Sequence, residues 1–492
     1  MKDAPSADSA QHHDELARGL TSAQVAMIGL SGALGTGLFL GSGSMIAQAG
    51  PATIVSYLMT GALALVIVWC LAEMTVVHPV AGGFGATARA YLGPLGGWLT
   101  RWNAAVVMCI AVGAEVVATG NYLAFWWPDL SVGTGTVIGS AMIVAINLAT
   151  VKAYGTTEYW FSIIKVAMAV IFIVLGGLLV FVGMPGQPAI GTGNLVNHGG
   201  FAPFGLSGIL VAAVMAIFSF GGVENVSVAA AESQHPERDV PRAAKAMIIR
   251  LILFYVLSIA VVLTLQPWTV SASSSGGVLE SPFVRALSMA NIPAAASIMN
   301  FVLVTAALSA ANGCLYSSAR MVHSLARDGQ APAALARTSA SGAPRAAVAL
   351  SSTGMVVASI LAMAFPSSAF QYLFGVLIFG LLTTWVLITL TYIAFRRTRA
   401  RLGLPAASSQ LMGGGATAMV ALVACVASYV GLAFIPSLSV ALKVGLPYAA
   451  LLFVGYWLVQ RRRPAVGRTV LDEELDARTA ATSAQATSHT SS

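Results

Sequence analysis

Two glycine-rich interruptions of long apolar segments constrain this chain more than any other feature of its sequence. Residues 31–37 read SGALGTG and residues 218–225 read FSFGGVEN, and each lies within a stretch long enough to cross a bilayer. Glycine weakens a helix because it loses the most backbone entropy and leaves its peptide groups bare. Since hydrocarbon cannot satisfy bare peptide groups, such a break is tolerated only where it lines a cavity. The pair therefore predicts the binding site of a membrane transporter for a small solute.

The composition supports a chain that is embedded in a membrane. Apolar residues make up 57% of the 492 residues and charged residues only 9%, whereas a soluble domain has about 25% charged residues. A helix needs roughly 20 apolar residues to cross the hydrocarbon core. Twelve such spans can be counted: 24–46, 52–75, 98–126, 133–150, 158–183, 205–231, 245–266, 288–318, 344–365, 370–395, 411–435 and 439–460. The sequence thus predicts an all-α integral membrane protein with twelve transmembrane helices.

The basic residues predict the orientation of these spans. With twelve spans both termini lie on one side, and that side holds all of the 25 Lys and Arg residues except Arg285, Lys443 and Lys165. This bias places both termini in the cytoplasm and the chain in the cytoplasmic membrane. The net charge of +7 then reflects topology and contact with anionic lipid, and it gives no reason to invoke nucleic acid.

The positions of the two breaks also predict the architecture. They fall in the first span of each of two five-span sets, which indicates a five-plus-five inverted repeat with discontinuous helices 1 and 6 and two appended helices. Residues 21–463 form the predicted transmembrane domain. The polar, Ser/Thr/Ala-rich tails, residues 1–20 and 464–492, are expected to be disordered.

The sequence holds no motif for a metal or a nucleotide. The four cysteines lie in separate spans without metal-ligand spacing, and small buried thiols are ordinary packing residues. Neither a phosphate-binding loop nor an HExxH site is present. We therefore predict no cofactor and find no support for ATP-driven pumping by this chain.

Five ordered motifs carry a resemblance to a known family. They are residues 18–20 (RGL) with 32–43 (GALGTGLFLGSG), Glu73 with 79–84 (PVAGGF), 218–224 (FSFGGVE), Glu232 with Pro236, and 309–312 (SAAN) with 320–321 and 325–332 (LARDGQAP). Over roughly residues 16–400 the chain resembles the bacterial amino acid transporter family of the amino acid–polyamine–organocation superfamily. The resemblance implies secondary transport of an amino acid.

The first break predicts a site for the carboxylate of such a substrate. Gly35, Thr36 and Gly37 present N–H groups at the positive end of a half-helix, and this arrangement binds an anion. The hydroxyl of Thr36 can add a further bond, and Ala33 belongs to the same candidate site. The alternative is that these small residues only permit close helix packing, but the second break favours a binding site.

The second break predicts contacts with the substrate ammonium. Carbonyl groups freed between Phe218 and Gly221, including that of Ser219, can accept its hydrogen bonds. The resemblance implies that Phe218 is an aromatic gate over the substrate, whereas a lone Phe in a span otherwise packs against lipid or core. Glu224 is a candidate because a carboxylate inside a span is costly and is retained mainly where it faces a cavity or a partner.

Three further charged residues belong to the predicted spans. Glu115, in span three, can contact the substrate or exchange protons, and a structural bond to a neighbouring helix is an equal alternative. Lys165, in span five, is the candidate proton-coupling residue, because the resemblance implies that its amine stands where sodium-coupled relatives bind a cation. The alternative is that its amine snorkels to the surface. Glu73 is expected to cap the cytoplasmic end of span two and to pair with Arg89 or Arg320.

The sequence therefore predicts a permease and not an enzyme. It is expected to import an amino acid, neutral or aromatic, by proton-coupled alternating access, with the substrate, protons and the lipid bilayer as partners; the oligomeric state stays open. An exchanger of the same fold, which swaps one amino acid or amine for another, is the alternative. A membrane-embedded enzyme would need a nucleophile–base or metal constellation at one depth, and a sensor would need a signalling domain; the sequence contains neither.

Overall fold

The computed structural model of the chain describes residues 36–39, 41–80, 82–148, 151–183, 188–229, 233, 235–272, 282–289, 294–339, 343–366, 369–407, 410–435, 438–462 and 468–490. Within these ranges the chain forms α-helices and short 3-10 helices and contains no β-strand. In chain order the helices are α1 Thr36–Phe39, α2 Gly41–Ala49, α3 Thr53–Val77, α4 Gly83–Trp126, α5 Val132–Leu148, α6 Val151–Phe181, α7 Gly205–Ala216, α8 Asn225–Ala229, α9 Pro236–Leu265, α10 Trp268–Ala272, α11 Pro282–Met289, α12 Ala295–Arg327, α13 Arg345–Ser351, α14 Thr353–Ala364, α15 Ala369–Arg401, α16 Gly414–Phe434, α17 Ser439–Arg462 and α18 Val470–Thr490.

These helices match the membrane class that the sequence predicts. Among the described residues, 8 helical segments are long and apolar enough to cross a membrane, and α2 and α3 form one of them as a continuous segment, Gly41–Val77. Three shorter apolar helices are Val132–Leu148, Gly205–Phe220 and Leu251–Leu265. The all-helical membrane fold is therefore confirmed, while the count of twelve spans and the inverted repeat stay predictions.

The break that the sequence predicts in span six is present. Helix α7 ends at Ala216, a 3-10 turn covers Ile217–Phe220, and α8 begins at Asn225. Between them Gly222 has a φ of 94°, a backbone conformation that strains any residue with a β-carbon. The glycine is therefore needed where the chain turns. Most of the first predicted break, up to Gly35, lies outside the described residues.

Helices α4, α12 and α15 form the centre of the bundle, and most of their residues are buried. Small residues allow close contact between them: a β-carbon at Gly380 of α15 would lie 2.1 Å from Val107 Cγ2 of α4. The amide of Asn103 then donates to the carbonyl of Gly380 at 3.0 Å and to the hydroxyl of Thr384 at 2.9 Å. By contrast, α16 and α17 expose most of their apolar residues, as expected for helices that face lipid.

One end of the bundle, which we call the basic face, carries Arg89, Arg101, Arg396 and Arg399. The prediction for Glu73 was wrong in its partner. Glu73 accepts from Arg396 Nη1 at 2.7 Å, while Arg89 lies 2.7 Å from Asp328. The Glu73 carboxylate also accepts from the hydroxyl of Tyr392 at 2.7 Å and from the backbone N–H of Leu411 at 2.9 Å. Its partners therefore come from α15 and the segment after it.

The composition of residues 464–492 predicts disorder, whereas the structure describes Val470–Thr490 as the helix α18. Thr469 and Asp472 exchange side-chain and backbone hydrogen bonds at its start, in the manner of a capping box. Glu474 of α18 accepts two hydrogen bonds from Arg399 of α15, at 2.6 and 3.1 Å. The cap and this ion pair explain why a polar segment is helical here.

Candidate transport site

A small cavity lies where the break in span six meets α1 and the central helices. Its volume is about 40 Å³, which is room for about three water molecules. The described residues that line it come from five elements: Gly37 of α1; Val107, Met108, Ala111 and Glu115 of α4; Phe218, Gly221 and Gly222 of the break; Ala310 and Cys314 of α12; Leu377 and Leu381 of α15. Four of the nine predicted substrate-binding residues, namely Gly37, Glu115, Phe218 and Gly221, therefore lie around one cavity.

The close approach of α1 to the break depends on glycine at position 37. A β-carbon at Gly37 would lie 3.0 Å from Phe218 Cδ1 and 3.0 Å from Ser219 Cα, which is tighter than ordinary packing allows. The sequence indicated that the two glycine-rich segments form one site, and this contact brings the described end of the first segment against the second. Ala33 and Gly35 lie outside the described residues, and for Thr36 the structure describes only the backbone, so these parts of the predicted carboxylate site stay predictions.

The chain inside the break is held by two tyrosines from neighbouring helices. Tyr57 of α3 and Ser219 share a hydroxyl hydrogen bond of 3.2 Å, and Tyr255 of α9 donates to the carbonyl of Ser219 at 2.5 Å. The carbonyl of Phe218 accepts from the N–H of Gly221 at 3.1 Å. Two of the carbonyls that the sequence analysis assigned to the substrate ammonium thus already accept one hydrogen bond each, and each retains a second lone pair.

Phe218 lies at the edge of the cavity with its ring against another aromatic side chain. The centroids of the Phe218 and Phe374 rings are 4.6 Å apart, with an angle of 56° between the ring planes. Aromatic pairs at this distance and tilt attract one another. The pair joins the break to α15, on the side of the cavity where Leu377 and Leu381 lie.

Glu224 is fully buried immediately before α8, and its carboxylate is only partly satisfied. One oxygen accepts from the backbone N–H of Gly222 at 3.2 Å, while Oε1 has no hydrogen-bond partner among the described residues. The next residue, Asn225, accepts from the hydroxyl of Ser317 at 2.7 Å, and its Nδ2 likewise has no partner among them. Buried polar atoms normally have partners, so this pair is a candidate for binding a ligand or a proton.

Glu115 supplies the one carboxylate among the described residues that line the cavity. It lies on the face of α4 that also carries Met108 and Ala111, because residues spaced by three, four and seven share one side of a helix. Its side chain is buried, with 6% exposed. The cavity can therefore contact both a charged amino group and an apolar side chain.

Lys165 does not snorkel to the surface. Its side chain is 1% exposed, and Nζ donates to the hydroxyl of Ser309 in α12 at 3.0 Å. A second buried charge on the same helix, Glu158, was not predicted from the sequence and is also 1% exposed. The predicted span five starts at residue 158, whereas α6 begins at Val151. The spacing of seven residues between Glu158 and Lys165 is the signal that could have revealed the pair.

The family model and the similar proteins that match this chain agree on one family. A family model described as amino acid permease matches residues 24–467. The aromatic amino acid transport protein AroP of Escherichia coli (strain K12) is 39% identical over 394 residues, which cover 80% of this chain and 85% of that protein. The AroP protein of Shigella flexneri matches with the same identity and coverage. The uncharacterized amino acid permease YtnA of Bacillus subtilis (strain 168) is 37% identical over 386 residues, 78% of this chain and 82% of YtnA.

Proposed function

Since this chain belongs to the amino acid permease family, we propose that it is a secondary active transporter that imports a neutral or aromatic amino acid across the cytoplasmic membrane by proton-coupled alternating access. The observation that carries this proposal is the cavity at the span-six break, where backbone polar groups, one carboxylate and an apolar wall meet. The names of the relatives in Escherichia coli and Shigella flexneri support an aromatic substrate.

Each part of an amino acid has a complementary surface in this arrangement. We assign the α-carboxylate to the N–H groups at Gly35, Thr36 and Gly37, at the positive end of the first half-helix. The ammonium lies toward Glu115 and the carbonyls of the break. The side chain packs against Met108, Ala111, Leu377 and Leu381, apolar groups that favour an apolar or aromatic substituent.

The size of the cavity supports a transport cycle with moving helices. A volume of about 40 Å³ is too small for any amino acid, since it holds only about three water molecules. The substrate therefore enters only when the helices around the break separate. Broken helices at the membrane midplane, with one helix bundle moving against another, are the features that alternating access requires. We place the basic face in the cytoplasm, together with both termini, because cytoplasmic segments carry the excess of Lys and Arg.

The proposal is tested by uptake of a radiolabelled amino acid panel into proteoliposomes, with and without an inward proton gradient. A gradient of one pH unit coupled to one proton raises accumulation about tenfold, and we expect this stimulation for one class of apolar or aromatic amino acid. Uptake that requires preloaded amino acid and ignores the gradient would identify an exchanger instead. Absence of uptake for the whole panel would overturn the proposal.

The apolar wall offers a specific variant. Ala111→Phe fills the space against which the substrate side chain is placed, so we expect uptake of the preferred amino acid to fall at least about tenfold, the equivalent of roughly 1.4 kcal/mol of binding. Ala427→Phe is the matched control, because Ala427 is exposed on α16, away from the cavity. Equal uptake by the two variants would show that the cavity is not the substrate site.

A further inference from the structure

A chain of buried polar side chains joins α5, α6 and α12 beside the transport cavity. Its members are Asn147, Glu158, Lys165, Ser309 and Asn312, and none of them is more than 5% exposed. Buried polar groups are expensive unless they are hydrogen-bonded. Hydrogen bonds among these side chains offset this cost, and their donors and acceptors follow one direction along the series.

A backbone carbonyl fixes the direction of these hydrogen bonds. The Nδ2 atom of Asn147 donates to the carbonyl of Ile143 at 3.1 Å and to Oδ1 of Asn312 at 2.7 Å. Because a carbonyl oxygen only accepts, it fixes which end of the Asn147 amide faces α12. The amide nitrogen of Asn312 must then point the other way, and it donates to Oε2 of Glu158 at 2.8 Å.

Ser309 continues this chain from Glu158 to Lys165. Its hydroxyl donates to Oε1 of Glu158 and accepts from Nζ of Lys165 at 3.0 Å. An ammonium only donates and a carboxylate only accepts, so a hydroxyl with a single proton can bridge them in one direction alone. Both oxygens of Glu158 therefore accept hydrogen bonds, and Ser309 offers a lone pair to the Lys165 amine.

The charges in this region make Lys165 and Glu158 depend on one another. Glu158 and Glu115 both act electrostatically on the charge of Lys165. If Lys165 alone released a proton, Glu158 would lose the buried cation that the Ser309 hydroxyl links to it. Leaving a buried charge without its partner is strongly unfavourable. A proton that moves between the two residues removes both charges together.

We propose that Glu158 is the second proton-carrying group of this transporter and exchanges a proton with Lys165 through the hydroxyl of Ser309. One proton passes from Lys165 Nζ to Ser309 Oγ while the hydroxyl proton of Ser309 passes to Oε1 of Glu158. The ammonium becomes a neutral amine, the carboxylate becomes a carboxylic acid, and the hydroxyl is regenerated, so that no other reactant is required. This inference rests on the proposed proton coupling and adds the residue that receives the proton of Lys165.

The test uses Glu158→Gln in the full-length protein in proteoliposomes. The amide keeps the size of the side chain and can accept from Asn312, but it cannot take up a proton. Counterflow at equal pH, which exchanges labelled for unlabelled amino acid without net proton movement, reports folding and substrate binding. Gradient-driven uptake and the entry of protons, followed with a trapped pH-sensitive dye, report coupling.

We expect Glu158→Gln to keep counterflow within about twofold of wild type, while the stimulation of about tenfold by one pH unit and the substrate-dependent entry of protons are lost. Ser309→Ala should show the same separation of the two readouts. Ser318→Ala is the matched control, since the hydroxyl of Ser318 is buried in the same helix but bonds to the carbonyl of Ala105 and to Ser351. This control should remain coupled.

Two results would overturn the inference. One is Glu158→Gln with unchanged gradient-driven uptake and proton entry. The other is equal loss of counterflow and coupling in a variant that still elutes as a single species, because this would assign Glu158 a structural role only. A wild-type protein whose uptake ignores the gradient would instead overturn the proposed coupling itself, so that the two failures are distinguishable.

Discussion

Buried charges at the basic face and at the span-six break are equally removed from water but are partnered differently. At the basic face, Arg101 is 0% exposed and donates to Asp328, to Ser324 at 3.1 Å, to Gln330 at 2.8 Å and to a backbone carbonyl at 3.1 Å. At the break, Glu224 is also 0% exposed, yet only its Oε2 accepts a hydrogen bond, from the N–H of Gly222 at 3.2 Å, and its Oε1 has no partner among the described residues.

We propose that this difference separates charges that hold the fold from charges that are kept for a ligand. A buried ion whose hydrogen-bonding positions are all filled has no capacity for a further partner, and removing it leaves its neighbours unsatisfied. A buried ion with an unfilled position pays a desolvation cost that the fold does not recover. We therefore expect the basic face to determine stability and the break to determine transport.

The largest effect on stability is expected for Arg101→Met. Its loss leaves Gln330 and Ser324 without their charged donor, although Asp328 keeps Arg89 at 2.7 Å. Removal of one member of a buried ion pair costs about 3 to 5 kcal/mol. Because Asp328 keeps a second cationic partner, we expect a loss of about 3 kcal/mol. Thermal unfolding in detergent measures it.

The control for this variant is Arg397→Met, because Arg397 is exposed on α15 and should tolerate the change within about 0.5 kcal/mol. If Arg101→Met unfolds at the same temperature as the control, the distinction between the two regions is lost.

A similar contrast separates the features that could be predicted from the sequence from those that could not. The span-six break was predictable because its cause is local: two adjacent glycines interrupt an apolar segment, and Gly222 adopts a φ that only glycine takes easily. The partner of Glu73 was not predictable, since Arg396 is 323 positions away and only the packing of α3 against α15 brings the two together. Glu158 was missed because a span boundary drawn from hydropathy began at the acid, although α6 extends a further two turns before it.

An intermediate effect is expected from pH at the basic face. Burial lowers the pKa of His78 to about 4; the nearby Glu474 opposes this shift and the Arg399 guanidinium adds to it. The ring is therefore neutral at neutral pH, and its contact with Glu474 at 3.8 Å is not an ion pair there. Its Nε2 instead shares a hydrogen bond of 2.9 Å with the Tyr91 hydroxyl.

The sign of the pH effect follows from this shift. An unfolded histidine has a pKa of about 6.5, so the folded chain binds this proton more weakly than the unfolded chain. The stability contributed by His78 is complete above about pH 6.5 and decreases as the pH falls toward 4. Unfolding midpoints between pH 7.5 and 4.5 should fall in wild type and fall less in His78→Gln, which keeps a hydrogen-bonding group but does not titrate. Parallel curves for the two proteins would exclude His78 as the cause.

The smallest effect on stability, and the sharpest contrast with Arg101, is expected for Glu224→Gln. The amide has the same shape as the carboxylate, still accepts from the N–H of Gly222 and carries no buried charge, so we expect the stability to stay within about 1 kcal/mol of wild type. Uptake, however, should fall at least about tenfold, because the unfilled carboxylate position is the feature kept for substrate or proton. Unfolding and uptake measured on the same preparation decide the matter. A variant that loses stability as Arg101→Met does, or that transports as wild type does, would show that incomplete hydrogen bonding at the break does not mark a functional charge.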